Sequence, residues 1–216
     1  NSPALNITYT PRSFQVYADE FPQSRYAFVG ASIDGRRHEP CELPEGGGPL
    51  VYISLGTELN KSERFFRRCV EAFGGTGVRV VMVIGNSVHP ENLGPLPPTT
   101  MVRSRVPQLE VLSQASLFIT HGGMNSVNEA LFYGVPMLVV PVGNDQPTVA
   151  RRVEELGLGE ALEIREATPN VLREAAMRVL SDRECHARLS EFRQETRSAG
   201  GNTKAAKLII EQLNRV

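Results

Sequence analysis

Four short runs of almost uninterrupted apolar residues dominate the chain: LVYISLG at 50–56, VRVVMVIG at 78–85, SLFIT at 116–120 and PMLVVPV at 136–142. A strand with one face in water alternates apolar and polar side chains, so runs that do not alternate must be buried on both faces. Between them lie segments of helical spacing. In NKSERFFRRCVEAFGG (60–75), Phe65, Phe66, Cys69, Val70 and Phe73 share one face, and Gly74 and Gly75 end the segment. TTMVRSR (99–105) predicts a further strand and PQLEVLSQA a helix after it. Helices are expected again after residue 120 and on QPTVARRVEEL, PNVLREAAMRVL, DRECHARLSEFRQETRS and NTKAAKLIIEQL. Strands alternating with helices predict an α/β domain, a parallel sheet with helices on both faces. Residues 1–48 read as irregular and rich in turn formers, ending in LPEGGGP, so the predicted division is a junction over 1–48 and the α/β domain over 49–216.

The rest of the composition narrows the function. With 216 residues, 41% hydrophobic and 22% charged, the chain can bury a full core as one soluble domain, and a net charge of -1 gives no reason to expect nucleic acid. No apolar run approaches the length of a membrane span, and the first residues lack the order of a signal peptide. Cys41, Cys69 and Cys185 are scattered, which suits reduced packing residues in the cytoplasm, and neither they nor the four histidines have metal-ligand spacing. The chain starts at Asn1 and not at methionine, which reads as a piece cut from something longer.

Ligands of open α/β sheets sit beyond the carboxyl ends of the strands, so the turns after the strands are the places to search. Three stand out: SLGT (54–57), HGGMNS (121–126) and VGNDQ (142–146), all expected on one sheet edge. In the second, Gly122 and Gly123 allow positive φ and close approach, while Asn125 and Ser126 fall in the first turn of a helix beside unpaired backbone N–H groups. A helix start of this kind attracts phosphate or diphosphate, and His121 adds a donor. Glu129, four residues after Asn125 and three after Ser126, shares their helix face and could accept from the two hydroxyls of a ribose. Residue by residue the plainer alternative is a capped helix with a solvated glutamate, and for Asp145 a cap on the next helix, whose Pro147 suits a first turn. No GxGxxG opens a helix and no GxxxxGK[ST] occurs, which disfavours a dinucleotide-dependent dehydrogenase or a P-loop protein.

The run VPQLEVLSQASLFITHGGMNSVNEALFYGVPMLVVPVGNDQPTVARRVEELGLG (106–159), with VYISLGTELN, LNITYTPRSFQ and YAFVG, resembles the C-terminal, donor-binding half of GT-B glycosyltransferases. Within the UDP-glucosyl and UDP-glucuronosyl transferase superfamily it is most like the bacterial macrolide glycosyltransferases. The resemblance implies a Rossmann-like fold that binds a UDP-sugar, with glucose suiting the sugar-binding pair. Ser54, Gly56 and Thr57 would line the diphosphate, together with His121, Gly122, Gly123, Asn125 and Ser126. Val106 and Gln108 would contact the base and ribose, Glu129 the ribose hydroxyls, and Asp145 and Gln146 the transferred sugar. Many relatives carry an aromatic residue before VPQ where this chain has Arg105, whose guanidinium plane could stack on the base or point into solvent.

The same resemblance places the acceptor pocket and the catalytic base in an N-terminal domain that this chain does not contain. The implied activity is an inverting, metal-independent transfer to a small hydrophobic acceptor such as a macrolide. His121 is suited to the leaving diphosphate and is not the base. Two other readings stay open: a stand-alone nucleotide-binding or partner-recruiting module, and a natural half-enzyme completed by a separate acceptor subunit. The terminal helix, with Ala205, Leu208, Ile209 and Leu213, is expected to pack on the sheet or against the missing domain, and Arg151 and Arg152 to form a solvated helix face.

Overall fold

The computed structural model describes residues 5–33, 39–56 and 62–214. Its body is a six-stranded, wholly parallel sheet of β3 (Leu50–Ser54), β4 (Arg79–Val83), β5 (Thr100–Arg103), β6 (Leu117–Thr120), β7 (Met137–Val139) and β8 (Gly159–Ala161), in the order β5-β4-β3-β6-β7-β8. The helices are α1 (Glu63–Phe73), α2 (Gln108–Gln114), α3 (Met124–Tyr133), α4 (Gln146–Glu155), α5 (Pro169–Ser181), α6 (Arg183–Ser198) and α7 (Gly201–Leu213).

All five residues of β3 are buried, and its side chains divide between two layers. Val51 and Ile53 enter one core with Phe65, Phe66 and Phe73 of α1 and Leu172 and Ala175 of α5. Leu50 and Tyr52 enter the other, with residues of α2, α3, α4 and α6. The three α1 rings are at most 1% exposed, and burying each stabilises the fold by roughly 2–3 kcal/mol. The apolar runs are longer than the strands they contain. PMLVVPV is strand only over Met137–Val139, and Val140 continues into the core with its N–H on the Thr120 carbonyl at 2.7 Å.

Residues before β3 are less irregular than their composition suggests. β1 (Asn6–Thr8) and β2 (Tyr26–Phe28) form a separate parallel pair. This segment is tied to the helices by hydrogen bonds. Arg152 donates to the carbonyls of Phe14 at 2.9 Å and Ser13 at 3.0 Å, and Asn128 Nδ2 donates to the Tyr9 carbonyl at 2.7 Å. The solvated-face expectation therefore holds for Arg151, exposed and paired with Glu155, and fails for Arg152, which clasps backbone. Of the two placements expected for the terminal helix, its apolar residues do not fill the one on the sheet. Ala205 is buried, but Ile209 and Leu213 are 49% and 70% exposed, and the helix meets the early segment through Gly201 N–H on the Val29 carbonyl.

The chain runs outward from β3 through β4 to β5 and then returns to place β6 on the other side of β3. This reversal is the switch point at which α/β sheets open a crevice.

Candidate functional site

The two strands flanking the switch point end alike. Ser54 and Thr120 are register partners, both buried. The Ser54 hydroxyl accepts from Gly56 N–H at 3.4 Å, and the Thr120 hydroxyl from Gly122 N–H at 3.4 Å. Both glycines are left-handed, with φ of 81° and 87°, which turns each chain sharply away from the sheet. The turns thus bring Gly56 and His121 face to face.

The His121 ring is wedged between glycines. A methyl group added at Gly56 would lie 2.8 Å from its Cε1 and Nε2, and one at Gly123 would lie 2.5 Å from Nε2. Sequence reasoning assigned positive φ to both Gly122 and Gly123. Gly122 has it, but Gly123 is extended at φ −63° and ψ 132°, and what it provides is room for the imidazole. Burial lowers the pKa of His121 from its ordinary 6.5, while the charge of Asp145 and the Ser54 backbone act in the opposite sense. Among the described residues, no group meets its buried Nδ1 with hydrogen-bond geometry. Burial therefore favours the neutral form of this imidazole, which stands beside a helix start.

That start is α3. Gly123 is its N-cap and supplies no side-chain cap, and Asn125 and Ser126 occupy its first turn as expected. Val127 N–H already donates to the Gly123 carbonyl, whereas the earlier N–H groups belong to the turn that a helix leaves without internal acceptors. One turn on, Glu129 is only 6% exposed, which removes the alternative of a solvated surface acid. Gln108, the first residue of α2, holds it: its Nε2 donates to Glu129 Oε2 at 2.6 Å and lies 3.4 Å from the Ser126 hydroxyl. Gln108 is itself held by Tyr52 of β3, whose phenol donates to Oε1 at 2.9 Å.

The third turn adds Asp145 and Gln146. Asp145 is exposed, has helical backbone angles, and makes no side-chain cap on α4, so the capping alternative fails. Gln146 is buried, and its Oε1 accepts from the N–H groups of Val142 at 2.8 Å and Gly143 at 3.1 Å, leaving the amide nitrogen as the group able to serve a ligand. Asn144, between Gly143 and Asp145, is left-handed at φ 56°, a feature that nothing in the sequence reading anticipated.

The architecture and the motif-bearing turns have known counterparts. The family model described as "Erythromycin biosynthesis protein CIII-like, C-terminal domain" matches residues 68–212. The chain belongs to this family. An NDP-glycosyltransferase of Bacillus licheniformis is 42% identical over 205 residues, which are 94% of this chain and 52% of the relative. The oleandomycin glycosyltransferase of Streptomyces antibioticus is 38% identical over 98% of this chain and 50% of its own length. A solved calicheamicin glycosyltransferase superposes with a TM-score of 0.90 at 36% identity, covering 98% of this chain and 54% of that one. The solved glycosyltransferase of kitacinnamycin gives 0.89 at 40% identity. The chain spans about half the length of the curated relatives it matches, and its α/β body is one half of a GT-B architecture.

Within this erythromycin-CIII-like C-terminal domain, the expected site residues gather in two groups. Ser54, Gly56, His121, Gly122, Gly123, Asn125 and Ser126 surround the switch point, with Asp145 close enough for its charge to act on His121. Gln108, Ser126 and Glu129 form the second group, next to Val106 and Arg105 on the loop after β5. Val106 is half-buried and packs on the core, whereas Arg105 is exposed. Thr57 lies outside the described residues. Among the described residues, no group of three or more His, Cys, Asp and Glu could hold a metal ion, and no helix is long and apolar enough to cross a membrane.

Tyr52 and Arg152 were missed as functional or organising residues. For Tyr52 a signal existed: it alternates with Ser54 on one face of an otherwise apolar strand. For Arg152 none did, because its partners are backbone carbonyls more than a hundred residues away.

Proposed function

We propose that this domain binds a UDP-sugar, UDP-glucose by preference, as the donor half of an inverting, metal-independent glycosyltransferase that modifies a small hydrophobic natural product. The observation that carries the reading is the pairing of an uncapped helix start on α3, beside a neutral imidazole, with a buried carboxylate one turn further along the same helix. The first suits a diphosphate and the second a ribose diol, at the spacing of a nucleotide. In this reading the N–H groups of α3, Asn125, Ser126 and His121 stabilise the departing diphosphate by hydrogen bonds and the helix dipole, in place of a divalent cation. Asp145 and the Gln146 amide nitrogen take the sugar hydroxyls, Val106 and Gln108 the base and ribose side, and Arg105 stacks its guanidinium on the base. The acceptor and the base that deprotonates it belong to an N-terminal domain, which agrees with relatives of twice this length.

The test is calorimetric titration of the chain with UDP, UDP-glucose, TDP and NAD without metal, using the native protein, His121→Ala and Glu129→Ala. The expected result is selective binding of UDP and UDP-glucose, weakened by both substitutions. Absence of binding to every nucleotide would overturn the donor reading and favour a partner-recruiting module.

A further inference from the structure

Tyr52 is a polar side chain with no place in the binding scheme above. It is 1% exposed, so it cannot touch a ligand directly. Its ring stacks on Phe118, its register partner in β6, with centroids 4.8 Å apart and planes 8° from parallel. The stack fixes where the phenol oxygen stands, and that oxygen donates to Gln108 Oε1 at 2.9 Å.

An amide carries its acceptor and its donors on opposite prongs. With Oε1 engaged by the phenol, Nε2 faces Glu129 Oε2 at 2.6 Å. The flipped amide would set its oxygen against the carboxylate oxygen and lose a charge-assisted bond. Burial pushes the Tyr52 phenol far above its ordinary value, and the neighbouring Ser54 hydroxyl, which acts in the opposite sense, does not reverse this, so the phenol stays a donor. The series therefore runs from the end of β3 through Tyr52 and Gln108 to the carboxylate that faces the ribose.

We propose that Tyr52 is a positioning residue for ribose recognition, holding Gln108 in the one amide orientation that fixes the Glu129 carboxylate. This rests on the donor reading above. Without the phenol hydroxyl the Gln108 amide loses its anchor and the carboxylate loses its fixed plane. The damage falls on contacts to the ribose hydroxyls and spares those to the diphosphate, which come from α3 and His121.

The experiment is titration of the 216-residue chain with UDP and with dideoxyuridine diphosphate, for the wild type, Tyr52→Phe, Gln108→Leu and the double variant. Tyr52→Phe is expected to weaken UDP about tenfold and to change the dideoxy nucleotide by less than about twofold, the scale of one buried hydrogen bond in a charged network. In the Gln108→Leu background it is expected to add nothing, because the two residues act in series. Equal losses on both nucleotides, or additive losses in the double variant, would overturn the proposal. Tyr52→Phe keeps the ring that stacks on Phe118 and removes only the hydroxyl, and thermal denaturation of that variant establishes that it is folded: in the folded variant a loss confined to UDP supports the series and an equal loss refutes it. A wild-type chain that binds neither nucleotide would remove the donor reading itself, and the positioning role with it.

Discussion

Two pairs of helix starts in this domain are built in opposite ways. At α6, Asp182 spends its carboxylate on the N–H groups of Glu184 at 2.9 Å and Cys185 at 3.0 Å, and at α5 the Thr168 hydroxyl accepts from Val171 N–H at 3.4 Å. At α3 the cap position is Gly123, with no side chain, and at α4 it is Asp145, whose carboxylate makes no cap. Replacing a capping side chain by alanine costs about 1 kcal/mol of helix stability, and by glycine only a few tenths. Side-chain caps are absent also at α1, α2 and α7, so what sets α3 and α4 apart from α5 and α6 is that their uncapped starts carry His121, Asn125, Ser126 and Asp145 together beside the sheet's switch point.

The largest expected effect comes from giving α3 what α6 has. Gly123→Ser supplies a capping hydroxyl, but its Cβ would sit 2.5 Å from His121 Nε2, so the ring has to move. Nucleotide affinity should fall on the order of 10–100-fold through lost charge-assisted bonds, while thermal stability changes little. Titration and thermal denaturation of the same variant measure both. Unchanged affinity would show that the His121 position is irrelevant to the ligand.

The reverse experiment removes the cap from α6. Asp182→Ala should cost about 1 kcal/mol, near 2–4 °C in melting temperature, and leave nucleotide affinity as it was. A loss of affinity here would erase the division between helix starts that serve the fold and those that serve the ligand.

A smaller effect is expected from pH. Burial holds His121 below its ordinary 6.5 in the folded chain, so the unfolded chain takes the proton first. The stability contributed by the neutral ring is complete above that value and drains away as pH falls through it toward the lower folded pKa. A diphosphate beside the ring favours the imidazolium, so binding in that window should draw in less than one proton per site. Calorimetry in two buffers of different ionisation enthalpy would detect the uptake, and His121→Ala should abolish it.

Where the sequence was legible, burial on both faces made it so. The runs containing β3, β4, β6 and β7 announce a covered parallel sheet because nothing in them alternates. β8, the three residues Gly159–Ala161, has no such pattern and exists through pairing with β7. In the site, positions along α3 could be counted, so Asn125, Ser126 and Glu129 fell where spacing put them. Contacts that depend on tertiary placement could not be counted. The burial of Glu129 needs α2 against α3, and the wedge around His121 needs Gly56 and His121, 65 positions apart in the chain, brought together. The Gln146 amide hidden under its own loop and the Arg152 clasp belong to the same class.

The smallest expected effect separates two aspartates in the same nominal position. Asp145 and Asp182 each stand at the N-cap position of a helix. Asp182 has extended backbone angles that aim its carboxylate at the N–H groups of the next turn, whereas Asp145 sits at φ −80° and ψ −9° with its carboxylate in solvent. Asp145→Asn should therefore leave stability within about 0.5 kcal/mol, the usual range for a surface change that breaks no cap. Its cost should fall instead on discrimination, with UDP-glucose losing affinity while UDP keeps it, because only the sugar reaches the carboxylate in the proposed binding mode. If UDP weakens equally, Asp145 acts through His121 and the diphosphate and not through the sugar. If stability falls as it does for Asp182→Ala, the two helix starts are alike after all, and the contrast between α4 and α6 has no functional meaning.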